Sequence, residues 1–209
     1  MISKLEFAEL ICARYSHDLA GPIGAIANGV EFLDCPEKDI KERAVELVKT
    51  SAEQSVVRLQ FFRQVYGFIR GESEMALSEI VSLVDMFFGL TKIKLKWNYD
   101  PNNESLSQFK ARFAKLIFNA LNIASNIVIL VGEIEVRLDS SSAFQVEIRG
   151  EKLIFDEYLL DVIKGEIEMV DVTTKNIHIY YFTQIAQDLG VKVSVDAEAK
   201  RLVIKLAKK

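Results

Sequence analysis

A chain of 209 residues, half of them hydrophobic and with a net charge of −4, can bury one or two cores and lacks the basic surface that tracks nucleic acid. No stretch approaches the roughly 20 apolar residues of a membrane span, and Lys4, Glu6 and Glu9 interrupt the N-terminal apolar residues. Two cysteines, Cys12 and Cys35, suit reduced thiols rather than a disulfide framework, so a soluble cytoplasmic protein without nucleic-acid or membrane partners is expected.

Two long helical patterns come first. Leu5, Ala8, Cys12, Tyr15 and Leu19 recur at steps of three and four, the spacing of a coiled-coil seam, which would bury Cys12 as an inert thiol. After a slip, Ile23, Ile26, Val30 and Leu33 resume the pattern. The slip falls on Pro22, which has no N–H for the carbonyl four residues earlier and is expected to bend the helix. Asp34-Cys35-Pro36 forms a stop, with Pro36 expected in the first turn of the second helix. That helix is expected to reach about Arg70, with Val45, Val48, Ala52, Ser55, Leu59, Phe62, Tyr66 and Ile69 in register and Gly71 ending it. One hairpin cannot bury both seams, and some of the second helix's aromatics (Phe61, Phe62, Tyr66, Phe68) would remain wet. Pairing two hairpins into a four-helix bundle covers them and predicts a homodimer. The simpler alternative packs the hairpin on the rest of its own chain.

From about Glu72 the pattern turns mixed. Helices are expected at 76–90, 106–130, 155–164 and 174–189, and strands at 92–98, 133–139, 143–149, 191–196 and 201–206. A Ser-rich turn at 139–142 joins two of these strands as a hairpin. Helices on one face of a mostly antiparallel sheet make an α+β sandwich, giving domains at 1–71 and 72–209.

His17 is the residue that packing does not explain. In the heptad of the first seam it falls at f, farthest from the bundle axis. Gly21 and Asn28 also face outward after the slip, so residues 17 and 28 share one stripe. An exposed, neutral imidazole can attack phosphorus through its free nitrogen, and Asp18 beside it can take a proton or orient the ring. Small residues follow (Ala20, Gly21, Gly24, Ala25, Ala27, Gly29), each glycine costing a helix roughly 1 kcal/mol. They leave a low surface that another protein could approach. Arg14, one turn before His17, is expected on the same outward side, where it could meet an incoming phosphate or an acidic rim.

His17-Asp18-Leu19 with Pro22 resembles the H-box of sensor histidine kinases, and the longer run HDLAGPIGAIANGVEFL is similar to the ChpT-type histidine phosphotransferases. The resemblance implies His17 as phospho-acceptor and Asp18 as its acidic neighbour. It implies a dimeric hairpin followed by a degenerate ATP-binding domain of the Bergerat type. Gly21 stands where histidine kinases carry Thr, Asn or Gln to guide water, which argues against a kinase-style phosphatase activity. The kinase nucleotide site also departs from pattern. Lys115 replaces the first Asn of the metal-holding helix, which keeps Asn119; Arg149, Glu151 and Leu153 replace an Asp-x-Gly-x-Gly turn; and 166–175 contains no glycine. A phosphate cradle needs backbone N–H groups on a loop free to take unusual dihedrals, so the nucleotide site is read as lost and Asn119 as a locally hydrogen-bonded helix residue.

The implied function is phosphoryl relay through His17 from the receiver of a hybrid histidine kinase to response regulators, including those of the cell cycle. This chain would bind no cofactor, and the receiver would bring Mg²⁺. The alternatives are a cytosolic histidine kinase with a divergent ATP site and a non-catalytic receiver-binding pseudo-kinase scaffold. His178, among Ile177, Ile179, Tyr180 and Tyr181, is read as structural, and Lys92, Lys94 and Lys96 as the wet face of a strand.

Overall fold

The computed structural model describes residues 2–69 and 72–208. Helix α1 (Lys4–Glu31) starts at a capping box in which Ser3 Oγ accepts from the Glu6 N–H and the Glu6 carboxylate accepts from the Ser3 N–H. Pro22 lies within it, and it ends in a 3₁₀ turn over Phe32–Asp34. Helix α2 (Lys38–Tyr66) begins after Glu37, so Pro36 precedes the cap instead of occupying the first turn. It stops four residues earlier than expected, because the Gly67 backbone turns extended there while its N–H still reaches Arg63 O at 2.9 Å. Arg70 and Gly71 lie outside the described residues.

The helices form an antiparallel hairpin and pack tightly together at Gly29. A Cβ there would lie 2.7 Å from Val48 Cγ2, so Gly29 serves the helix–helix contact and not the open surface to which its neighbours belong. Cys12 is exposed, not buried in a seam. Leu5, Ile23, Val30, Val45, Val56 and Leu59 also stay exposed.

Strand β1 (Glu74–Ala76) leads into α3 (Leu77–Phe88) and β2 (Ile93–Asn98). The helix expected over 106–130 is shorter. A 3₁₀ turn at Glu104–Leu106 and strand β3 (Gln108–Lys110) come first, and β3 pairs antiparallel with β1. Helix α4 (Ala111–Ile127) then carries the chain to β4 (Gly132–Ser140) and β5 (Ala143–Gly150), joined by the expected serine turn. Helices α5 (Glu157–Lys164) and α6 (Ile177–Asp188) and strands β6 (Val191–Glu198) and β7 (Arg201–Lys208) follow.

The five-stranded sheet has the order β2-β4-β5-β7-β6, with β2 and β4 parallel and the rest antiparallel. Its inner face presents Ile134, Val136, Phe144, Val146, Ile148, Leu202 and Ile204 to the helices, and all are buried. The outer face is a ladder of ion pairs, including Lys96–Glu133 at 2.8 Å and Arg149–Glu147 at 2.7 Å.

The large aromatics of α2 are covered by the chain's own sandwich. Phe61 stacks on Phe87 with centroids 3.8 Å apart and meets Phe118 edge-on, and Phe62 packs against Phe87 and Tyr15. Phe61 and Phe62 are therefore buried without a second chain, whereas Phe68, just past α2, and an aliphatic ridge of the hairpin stay exposed. Helix α4 lies between α2 and the sheet, which is why nearly all of its residues are buried.

Candidate phosphotransfer site

Residues 14, 17 and 18 lie within about one turn of α1, and their rotation about the axis separates their tasks. Arg14 and Asp18, at i and i+4, share the face turned to the sandwich, where Arg14 Nε donates to Asp18 Oδ2 at 2.8 Å. Their side chains are 13% and 10% exposed, whereas His17 is 82% exposed. Arg14 is thus not on the outward side. Its guanidinium donates to Asn126 Oδ1 at 2.8 Å and reaches the carbonyls of Thr174 and Lys175 at 3.5 and 3.4 Å. With those donors engaged, it has little left for a phosphate.

His17 Nδ1 lies 3.3 Å from Asp18 Oδ1. Because a carboxylate only accepts, this contact selects the tautomer with the proton on Nδ1. The lone pair of Nε2 then points away, and Nε2 has no partner among the described residues. Asp18 therefore bridges the imidazole on one oxygen and the guanidinium on the other.

Gly21, Gly24 and Asn28 continue the exposed stripe from His17. A Cβ at Gly21 or Gly24 would meet nothing within 4 Å, so the fold itself has no need of glycine at either position. Beneath Asp18, Tyr66 is held up to about 12 by burial first and by the Asp18 charge second, and its hydroxyl accepts from Asn122 Nδ2 at 3.4 Å.

The positions aligned above with a kinase nucleotide site are scattered or covered. Asn119 is fully buried, its amide donating to Val65 O at 3.1 Å and Lys115 O at 2.8 Å. Lys115 Nζ donates to Gly67 O and lies 5.3 Å from the Tyr181 ring centroid. Burial, with the charge of Arg112 next, brings its ammonium down to about 8. A cleft of about 860 Å³ opens beside it, lined among others by Phe7, Tyr66, Tyr181 and Asp188, but not by Arg149, Glu151 or Leu153. Arg149 instead joins the outer ladder, Glu151 pairs with Lys200 at 2.6 Å, and Leu153 bridges to Val128.

The glycine-free segment is fastened by Asn176, whose Oδ1 accepts from the Thr173 N–H at 2.7 Å while its Nδ2 donates to Asp171 O at 2.8 Å. It presents carbonyl oxygens to Arg14, a polarity that suits a cation and repels a phosphate. His178 is buried and held neutral, brought down to about 3 by burial and by the nearby charge of Arg14. Among the described residues no cluster of three or more His, Cys, Asp or Glu is placed for a metal ion, and no helix is long and apolar enough to cross a membrane.

The residue that the sequence reading missed is Asn126, which joins Arg14 to α4. The only signal was spacing: Asn122 and Asn126 stand four apart on a largely apolar helix, so they share a face where an amide can bond a neighbouring carbonyl or a partner.

The imidazole of His17 thus stands exposed on the helical surface, outside the cleft just described. Comparison with known families matches residues 77–201 to the histidine phosphotransferase C-terminal domain, and the chain belongs to that family of phosphotransferases. It is similar to protein phosphotransferase ChpT of Brucella abortus (strain 2308), with 27% identity over 210 residues, covering 97% of this chain and 95% of that protein. It is also similar to the solved structure of a bacterial phosphotransferase, with a TM-score of 0.84, 27% identity and coverage of 99% of this chain and 98% of that one. The catalytic domain of the histidine kinase ThkA aligns with a TM-score of 0.45 and 18% identity, over 65% of this chain and 93% of that one.

Proposed function

We propose that this histidine phosphotransferase carries the phosphoryl group on His17 Nε2, taking it from the receiver domain of a hybrid histidine kinase and passing it to a response regulator. The supporting observation is the pairing of an 82%-exposed imidazole with a nearly buried carboxylate on its Nδ1 side. The Nε2 lone pair attacks the phosphorus of the donor's aspartyl phosphate. The acyl P–O bond breaks, its electron pair leaving with the receiver's carboxylate, and an N–P bond forms. The ring keeps its Nδ1 proton and becomes positive, and the Asp18 carboxylate faces that charge. The second half-reaction is the reverse, onto an acceptor's aspartate. No proton has to leave in either direction.

Receiver docking is assigned to the stripe of Gly21, Gly24 and Asn28, where the absent side chains let a partner's backbone approach. The receiver supplies Mg²⁺, and this chain binds no nucleotide. Supporting that last reading are the burial of Asn119 beneath the end of α2 and the carbonyl-lined segment facing Arg14. The working form is a homodimer joined along the hairpin ridge of Ile23, Val30, Val45, Val56 and Leu59. These aliphatic residues remain exposed although α2's aromatics are covered.

Incubation with a receiver domain phosphorylated by acetyl phosphate tests the reading. Acid-labile, base-stable label on His17 is the expected result. Labelling by γ-phosphate of ATP with no receiver present, or receiver binding without any label, would replace it with a kinase or a scaffold.

A further inference from the structure

We infer that Asn126 and Arg14 are positioning residues for His17, and that the C-terminal sandwich serves the transfer reaction by bracing the imidazole across the domain boundary. The juxtaposition behind this is a chain of four side chains: Asn126 Oδ1 to Arg14 at 2.8 Å, Arg14 Nε to Asp18 Oδ2 at 2.8 Å, and Asp18 Oδ1 to His17 Nδ1 at 3.3 Å. It rests on the reading of His17 as the phosphoryl carrier.

Each link is held by another. Asn126 cannot turn freely, because its Nδ2 donates to Asn122 O at 2.7 Å, so Oδ1 is presented to the guanidinium. The carbonyls of Thr174 and Lys175 face another N–H of the same fork. A planar guanidinium held on both sides fixes the direction of its Nε–H, and so fixes which Asp18 oxygen remains for the histidine. Without this brace, Asp18 could take other rotamers and the imidazole would lose its acceptor. The exposed His17 has no other contact to orient it among the described residues. The residues that brace it come from α4 and the segment before α6, far along the chain, which gives the sandwich a task independent of nucleotide.

The test uses the full chain and phosphoramidate, a small donor that needs no docking surface. Nε2 attacks its phosphorus, the P–N bond breaks, and ammonia leaves. Asn126 is exposed, so Asn126→Ala opens no cavity. It should slow labelling of His17 about 10-fold, a fraction of the 10²–10⁴ that a placed acid–base partner contributes. In ¹⁵N spectra the His17 ring should move from the Nδ1–H toward the Nε2–H tautomer, a shift that general destabilisation would not produce. Asn126→Asp, which keeps the acceptor for the guanidinium but loses the bond to Asn122 O, should restore both in part, and Arg14→Lys, which loses the fork, should restore neither. In an Asp18→Asn background Asn126→Ala should change neither, since the brace acts through that carboxylate. Unchanged tautomer and rate in Asn126→Ala, or an undiminished effect in the Asp18→Asn background, would overturn the inference. If the spectra and phosphoramidate rates follow expectation while a phosphorylated receiver transfers nothing, the brace stands and the relay reading falls.

Discussion

Replacing Asp18 by alanine should damage stability and chemistry together, whereas replacing His17 should damage chemistry alone. The Arg14–Asp18 pair has a 2.8 Å contact between side chains that are 13% and 10% exposed, well inside the regime where solvent screening is weak. Removing one partner of a buried pair costs about 3–5 kcal/mol, mostly by stranding the other charge. Arg14 would keep Asn126 and two carbonyls as acceptors, so the lower end, about 3 kcal/mol, is expected. At 2–4 °C per kcal/mol for a chain of this size, the melting temperature should fall by about 6–12 °C. His17, at 82% exposure, has almost no packing to lose, and His17→Ala should stay within about 0.5 kcal/mol of the parent. Both variants should be melted at one protomer concentration, because self-association makes the midpoint concentration-dependent, and assayed for transfer from the same preparations. Asp18→Ala melting with the parent would show that the pair is not held, and the account of Asp18 as an anchored acceptor would fail. Full transfer by His17→Ala would displace His17 as the carrier.

Three other outcomes follow from named contacts. Leu59→Glu should convert a dimer to a folded monomer by light scattering, while Phe62→Glu should unfold the chain, since Phe62 is buried against the sandwich; a parent that is monomeric at micromolar concentration would remove the dimer proposal. Millimolar Mg-ATP should leave the melting temperature unchanged, and a saturable upward shift would reveal a working nucleotide site. For His178 the folded value of about 3 lies below the ordinary 6.5, so the unfolded chain binds the extra proton between them. Stability from this group should be intact above about pH 6.5 and lost as pH falls toward 3. Urea midpoints measured against pH should show a flatter acid limb in His178→Gln, and an unaltered limb would mean that the ring is not held neutral.

How much of the site was legible beforehand depends on the range of each interaction. Local periodicity places residues on faces, so the exposure of His17 with Gly21, Gly24 and Asn28, the order of the main helices and strands and the serine turn could all be read from spacing. The short β1–β3 ladder could not, because each strand has only three residues and exists through a partner some thirty positions away. The aromatics of α2 show the same limit: a heptad says that Phe62 faces something apolar, but a second hairpin and the sandwich present equally apolar surfaces. Packing chose the sandwich for Phe61 and Phe62 and left Val45, Val56 and Leu59 open. Arg14 shows it most sharply. Its i,i+4 spacing to Asp18 is local, yet whether the pair faces solvent or protein is decided by distant partners, Asn126, 112 residues away, and the carbonyls of Thr174 and Lys175, which reach Arg14 only once the sandwich docks on α1.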